Sequence, residues 1–272
     1  MVQIVRFCLL LALFLGVGKQ TEKITDGFAL SKLAHRFLEE SDPLFDETPL
    51  EQRFFYLAKG GQSYVFASED GRYVLKFFRA SKLHNLELFA RVSSSAGPKI
   101  EREKKRLDKI YRSYQIANEQ LQEETGLIGI HLSPSSLATR KLKIIDKLGI
   151  EHTIGARCTP FVLQKRGILL KEKLTQLAKE GKIETAKHAI NQTFALVKRC
   201  KDLGIRDQDP NLAKNFGFVG DMAIELDGGS FSASGAFAIE KLRQSKDDLK
   251  SLAPDLSVHL EDAYRRFAHE VD

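Results

Sequence analysis

Three stretches of this 272-residue chain carry side chains that could do chemistry together. The first is Lys59-Gly60-Gly61-Gln62-Ser63-Tyr64-Val65, a glycine turn between two apolar runs. With no Cβ in the way, its backbone N–H groups can approach a phosphate oxygen. The plainer reading is an ordinary glycine hairpin. The second is Lys76, set inside Tyr73-Val74-Leu75-Lys76-Phe77-Phe78. A buried ammonium needs a carboxylate or phosphate beside it; otherwise the lysine snorkels off an edge strand. The third is residues 205–229, IRDQDPNLAKNFGFVGDMAIELDGG. Asp227 stands there at a strand end before two glycines, a place suited to magnesium, which takes one or two protein carboxylates with phosphate oxygens and water. Asp207, Asp209 and Asn211 are equally the residues that make turns.

The elements that must position these groups are legible in outline. Apolar and β-branched runs near 53–58, 63–68 and 72–78 predict three strands, with Asp70-Gly71 as a hairpin turn. Pro98 suits the first turn of a helix over about 98–124. Ile100, Glu103, Leu107, Ile110 and Tyr114 share one face of it. Glu103 is a carboxylate in an otherwise apolar stripe and the natural partner for Lys76. KLKIID, EHTIG and FVLQKR within 141–166 read as short strands. Helices follow at about 170–180 and 184–203, the second stopped by Gly204. Strands 216–219 and 222–226 flank a turn at Gly220-Asp221, and helices over 235–251 and 255–271 end the chain. Phe28, Leu30, Leu33 and Phe37 would make one short amphipathic helix.

In this order the pieces resemble the protein kinase-like superfamily, which includes aminoglycoside and other small-molecule phosphotransferases. The resemblance spans roughly residues 53–232. It implies an α+β, bilobal fold: a small antiparallel-sheet N-lobe with one long helix and a reduced helical C-lobe. The implied divisions are 1–18, 19–50 as a connector, 51–166 as N-lobe and 167–272 as C-lobe. Gly60, Gly61 and Ser63 line up with the nucleotide loop, where only Gly60 matches a pattern glycine and Ala58 and Ser63 replace two others. Lys76 matches the phosphate-pairing lysine, with Glu103 as its partner. Asp227 matches the metal-binding aspartate. In the catalytic loop Arg206-Asp207 copies one dipeptide of the pattern, and Asn211 follows one position early. Asp209 with Asn215 is the alternative and the favoured pair. Asp209 lies 18 residues before Asp227 and Asp207 lies 20 before it, and both spacings suit the family. The implied cofactors are ATP and Mg2+. The implied partner is a hydroxyl acceptor, and the implied reaction is transfer of the γ-phosphate to it. The alternative is a pseudokinase that binds nucleotide or a protein partner as a scaffold. Only 43 residues follow Gly229, little room for a peptide-substrate platform.

Composition sets the remaining bounds. Charged residues are 29% and hydrophobic ones 43%, enough for a sizeable core. The net charge of +6 comes from scattered lysines and arginines without an aromatic-and-basic stripe, so nucleic acid is not expected. Cys8, Cys158 and Cys200 have no zinc spacing; the latter two are expected to be buried thiols. The opening MVQIVRFCLLLALFLGVGKQ has an early arginine, a short apolar run and small residues before a polar break. That is the form of a secretory signal, shorter than the ~20 residues of a membrane span. Export, or membrane association through residues 4–18, conflicts with a need for ATP. A cytoplasmic domain is the alternative.

Overall fold

The computed structural model describes residues 22–39, 42, 44–92, 94–133 and 136–271. Residues 1–21, on which the export and anchor readings rest, lie outside them. Among the described residues no helix is long and apolar enough to cross a membrane.

The chain is mixed α+β. Its elements run β1 (Arg53–Lys59), β2 (Ser63–Ser68), β3 (Tyr73–Phe78), α1 (Ser81–Ala90), α2 (Gly97–Gln120), β4 (Leu127–His131), β5 (Lys141–Ile145), β6 (Glu151–Gly155) and β7 (Phe161–Lys165). They continue with β8 (Ile168–Leu169), α3 (Leu170–Lys179), α4 (Ile183–Asp202), β9 (Arg206–Asp207), β10 (Phe216–Val219), β11 (Met222–Glu225), β12 (Phe231–Ser232), α5 (Ile239–Leu252) and α6 (Ser257–Val271). Two compact units result. One takes the described residues up to Asp42, with Asp46–Lys104 and His131–Val162; the other takes Pro43–Phe45, Lys105–Ile130 and Leu163–Asp272. The division thus falls inside α2 rather than after residue 166. The physical reason is that Ser113 in the second half of α2 bonds Gly228 and Phe231, far along the chain.

The first unit is built on a sheet with strand order β7-β3-β2-β1-β5-β6. β1, β2 and β3 form an antiparallel meander, and β1 runs parallel to β5. Gly71 takes φ +73° at the β2–β3 turn, the conformation for which an Asp-Gly turn is suited. Asp70 fixes that turn by accepting from Ser68 Oγ and from Arg72 N and Nε. Side chains directly opposite one another across a pair share a face. Tyr56 therefore shares one with Phe66, and Val65 shares the other with Lys76. A bulge between Tyr56 and Ala58 leaves Leu57 out of register and 44% exposed.

The aromatic face is covered by the segment before β1. Phe28 stacks edge-on against Tyr64, Phe66 and His152 at centroid distances of 5.2, 5.4 and 5.9 Å. Tyr64 donates to Gly27 O, and Tyr56 Oη and Lys147 Nζ both bind the Asp26 carboxylate. The expected amphipathic helix is not formed here. Leu30–Lys32 is a single 3₁₀ turn, and Leu33 forms a β-bridge with Arg79. The sheet offers this segment open backbone partners, and pairing satisfies more of its polar groups than one isolated helical turn would.

The second unit is mostly helical. α4 and α6 contact along their length and share Phe194, Tyr264 and Phe267 in one aromatic cluster. Gly204 follows α4 at φ +82°, the left-handed end expected of it. β8, β10 and β11 form a small antiparallel sheet, and β9 pairs with β12. Of the cysteines, Cys200 is buried on α4 as expected. Cys158 is exposed, because it ends a 3₁₀ turn that turns only Ala156 inward.

Candidate functional site

In the first unit the glycine turn joins β1 to β2. Gly60 N donates to Ser63 O at 2.8 Å and closes it. Neither Gly60 nor Gly61 has a positive φ, so the turn does not require glycine for its backbone angles. A Cβ at Gly61 would meet nothing within 4 Å, which leaves the turn open to an approaching group. Ser63 is buried. Lys76 lies on the centre of β3 with 7% of its surface exposed, and Glu103 on α2 has 6%.

In the second unit the residues of the former ambiguity separate cleanly. Asp207 is 3% exposed, whereas the Asp209 side chain is 57% exposed. Asp207 Oδ1 accepts from Asp209 N at 2.8 Å and from Ser230 Oγ at 2.6 Å. Its neighbour Glu225, at the end of β11, is a carboxyl with 1% exposure. Burial, and then the negative charge of Asp207, push the Glu225 carboxyl well above the ordinary carboxylate range. Burial raises Asp207 too, although its hydrogen bond from Glu225 and that from Ser230 oppose the rise. Burial beside a second carboxyl therefore favours the protonated form of Glu225. Asp207 Oδ2 and Glu225 Oε1 are both buried, and neither has an assigned hydrogen-bond partner among the described residues.

Asn215 is 7% exposed, and its Nδ2 donates to Asp209 O at 2.7 Å. Its own carbonyl accepts from Leu226 N, which ties the aspartate loop to the strand that leads into Asp227. Asn211 serves the turn instead: its Oδ1 accepts from Lys214 N, and its backbone carbonyl accepts from Asn215 N. Asp209 also stands 3.5 Å from Lys241 Nζ on α5. Asp227 caps the turn Gly228–Ser230, its Oδ1 accepting from Gly229 N at 3.1 Å. Tyr114 on α2 lies 3.5 Å from the same oxygen. Gly228 sits tightly against Tyr114, where a Cβ would come within 3.0 Å of the ring.

The oxygen donors suit a hard divalent cation held in part by phosphate. The Asn215 amide nitrogen donates to Asp209 O, so its Oδ1 is the oxygen that could serve a cation. Asp227 uses only Oδ1 among the described residues. No cluster of three or more His, Cys, Asp or Glu that could hold a metal ion by itself is found among the described residues.

The structure thus brings Asp207, Asp209, Asn215 and Asp227 into one connected network in the second unit. Gly60, Gly61, Ser63, Lys76 and Glu103 all belong to the first. Sequence reasoning missed Glu225, Ser230, Tyr114 and Arg79. Glu225 had a signal, being a carboxylate in the apolar run Met222–Leu226; the others carried none beyond proximity to the motifs.

No protein-family model matches the sequence, and no curated protein is similar to it. Solved structures to which the chain is similar include the following three. The bifunctional kinase-methyltransferase WbdD has 12% identity and a TM-score of 0.39 over 86% of this chain and 49% of its own. The Legionella pneumophila LegK7 effector kinase has 11% identity and a TM-score of 0.29, covering 82% and 37%. Rv3197 from Mycobacterium tuberculosis, solved with erythromycin, has 14% identity and a TM-score of 0.34, covering 88% and 59%. The chain spans about half the length of these structures or less in two of the three cases. Its own architecture gives the reading: a three-stranded meander with a glycine turn, a strand lysine, a long helix bearing a buried glutamate, then an aspartate loop before a hairpin that ends in Asp-Gly. That order of elements is the one expected from the resemblance of the sequence to the protein kinase-like superfamily.

Proposed function

We propose that this chain is a phosphotransferase of kinase-like fold that moves the γ-phosphate of ATP, with magnesium, to a hydroxyl acceptor. The observation that carries the reading is the loop from Asp207 to Asn215. It buries one aspartate, exposes the next, and fixes the exposed one through the Asn215 side chain. A loop built only to turn has no need of that bond.

Asp209 takes the role of general base. Its solvent-facing carboxylate can accept the proton of an acceptor hydroxyl. Lys241 at 3.5 Å steadies its charge. Asp227 and the Asn215 Oδ1 would hold magnesium, and the capping bond from Gly229 N orients the aspartate. Lys76 would pair with nucleotide phosphates, with Glu103 orienting it. Bound ATP and magnesium supply the transferable group and neutralise the charge that develops on it.

A thermal-shift titration with ATP and magnesium tests binding, since a ligand that binds the folded state alone raises its stability. The expected result is a magnesium-dependent rise that Lys76→Met and Asp227→Ala remove. An acceptor screen then follows, in which Asp209→Asn should lower the transfer rate by about a hundredfold or more while nucleotide affinity holds. No shift with ATP under any divalent ion would overturn the enzyme reading and leave a scaffold.

A further inference from the structure

The glycine turn is held from one side by a single residue. Arg79, just past β3, donates from Nη1 to Gly60 O at 2.6 Å and to Gly61 O at 3.2 Å. Its backbone N donates to Gln62 O at 2.8 Å. Three successive carbonyls therefore face Arg79. The guanidinium is itself steadied by the Tyr64 ring, 5.4 Å from its centroid.

A trans peptide sets its N–H opposite its C=O, and the chain has no cis peptide. With the carbonyls of Gly60 and Gly61 turned to Arg79, the N–H groups of Gly61 and Gln62 point to the other side. Neither finds an acceptor among the described residues. Two adjacent N–H groups aimed the same way make a concavity for an anion. A turn with two glycines would otherwise sample many conformations. Ala58 and Ser63, which replace pattern glycines, do not supply that geometry.

We propose that Arg79 is a positioning residue that presents the Gly61 and Gln62 N–H groups to a phosphate oxygen of the nucleotide. It acts through the turn and does not itself touch the reacting atoms. The inference rests on the nucleotide reading given above and adds the residue that makes the turn competent.

The test uses the full chain as wild type, Arg79→Met and Lys76→Met. Two measurements are made: amide hydrogen exchange across Gly60–Ser63 without nucleotide, and calorimetric titration with ATP, ADP and adenosine in magnesium. Arg79→Met should speed exchange in the turn and weaken ATP about tenfold, the scale of losing hydrogen bonds to a charged group. ADP should weaken too, and adenosine should not change. Unchanged exchange would overturn the proposal, as would equal weakening of all three ligands or faster exchange with unchanged ATP affinity. If wild type and Lys76→Met alike fail to bind ATP, the nucleotide reading itself falls and takes this one with it. Should Arg79→Met not fold, Arg79→Lys keeps the charge without the two-carbonyl fork and carries the same measurements.

Discussion

Glu225→Gln is the most informative single substitution for the buried pair. Burial and the charge of Asp207 raise this carboxyl in the folded chain, whereas the unfolded chain releases its proton above the ordinary value of 4.5. A group raised on folding adds stability that is complete below its unfolded value and is lost as pH rises toward its folded one. The slope for one retained proton is about 1.4 kcal/mol per pH unit. Glutamine has no proton to lose, and its amide N–H can donate to Asp207 as the carboxyl O–H does. The variant should therefore lie within about 1 kcal/mol of wild type at pH 5, one neutral hydrogen bond having replaced another. Above that pH wild type should lose stability faster than the variant. The gap should widen by about 1.4 kcal/mol per unit and level off at the folded pKa of the pair. Urea unfolding of both chains at closely spaced pH values measures it, because the titration of groups outside the Asp207–Glu225 pair cancels in the difference. Parallel curves would show that no proton is held there. A variant already several kcal/mol weaker at pH 5 would show that the glutamate is charged and paired otherwise.

Three further outcomes follow from the packing. Gly217→Ala would put a Cβ 2.5 Å from Ile168 O, inside the β8–β10 pairing, and should cost about 3 kcal/mol in urea unfolding; a neutral result would mean the strands part easily. Phe28→Ala removes a buried ring that meets three others and should cost about 3 kcal/mol or more. A loss well under 1 kcal/mol would show that the segment before β1 does not stabilise the sheet. Lys246 and Lys250 hold the Glu261 carboxyl down at about 2. A lowered carboxylate adds stability above its unfolded value and loses it as pH falls through the folded one. Lys246→Met should therefore bring the acid loss of stability to higher pH, read by circular dichroism between pH 5 and 2.

Much of the fold could be read from local pattern. The meander, the three strands between 141 and 165, and α3 and α4 appear within a residue or two of expectation. In each case alternation or helical phase coincides with a turn signal such as Asp70-Gly71 or Gly204. α1 was not foreseen, since Leu88 and Phe89 stay exposed on it and blur its apolar face. β4 was missed as well: Leu127–His131 is buried almost throughout, so it shows no alternation to read.

The candidate site divides along the same line. Sequence alone determined which side chains stand in which order: a glycine turn, Lys76, Glu103, two aspartates and an Asp-Gly. It did so because those residue types are rare inside apolar runs and are spaced by the elements that carry them. Tertiary structure alone decided which aspartate is buried and which is open to solvent. Asp207 and Asp209 are two residues apart in one loop and equivalent as letters. They differ because Glu225 and Ser230, brought in by strands β11 and β12, close over the first and leave the second in solvent. Burial is set by what arrives from elsewhere in the chain, and no spacing within the loop encodes it.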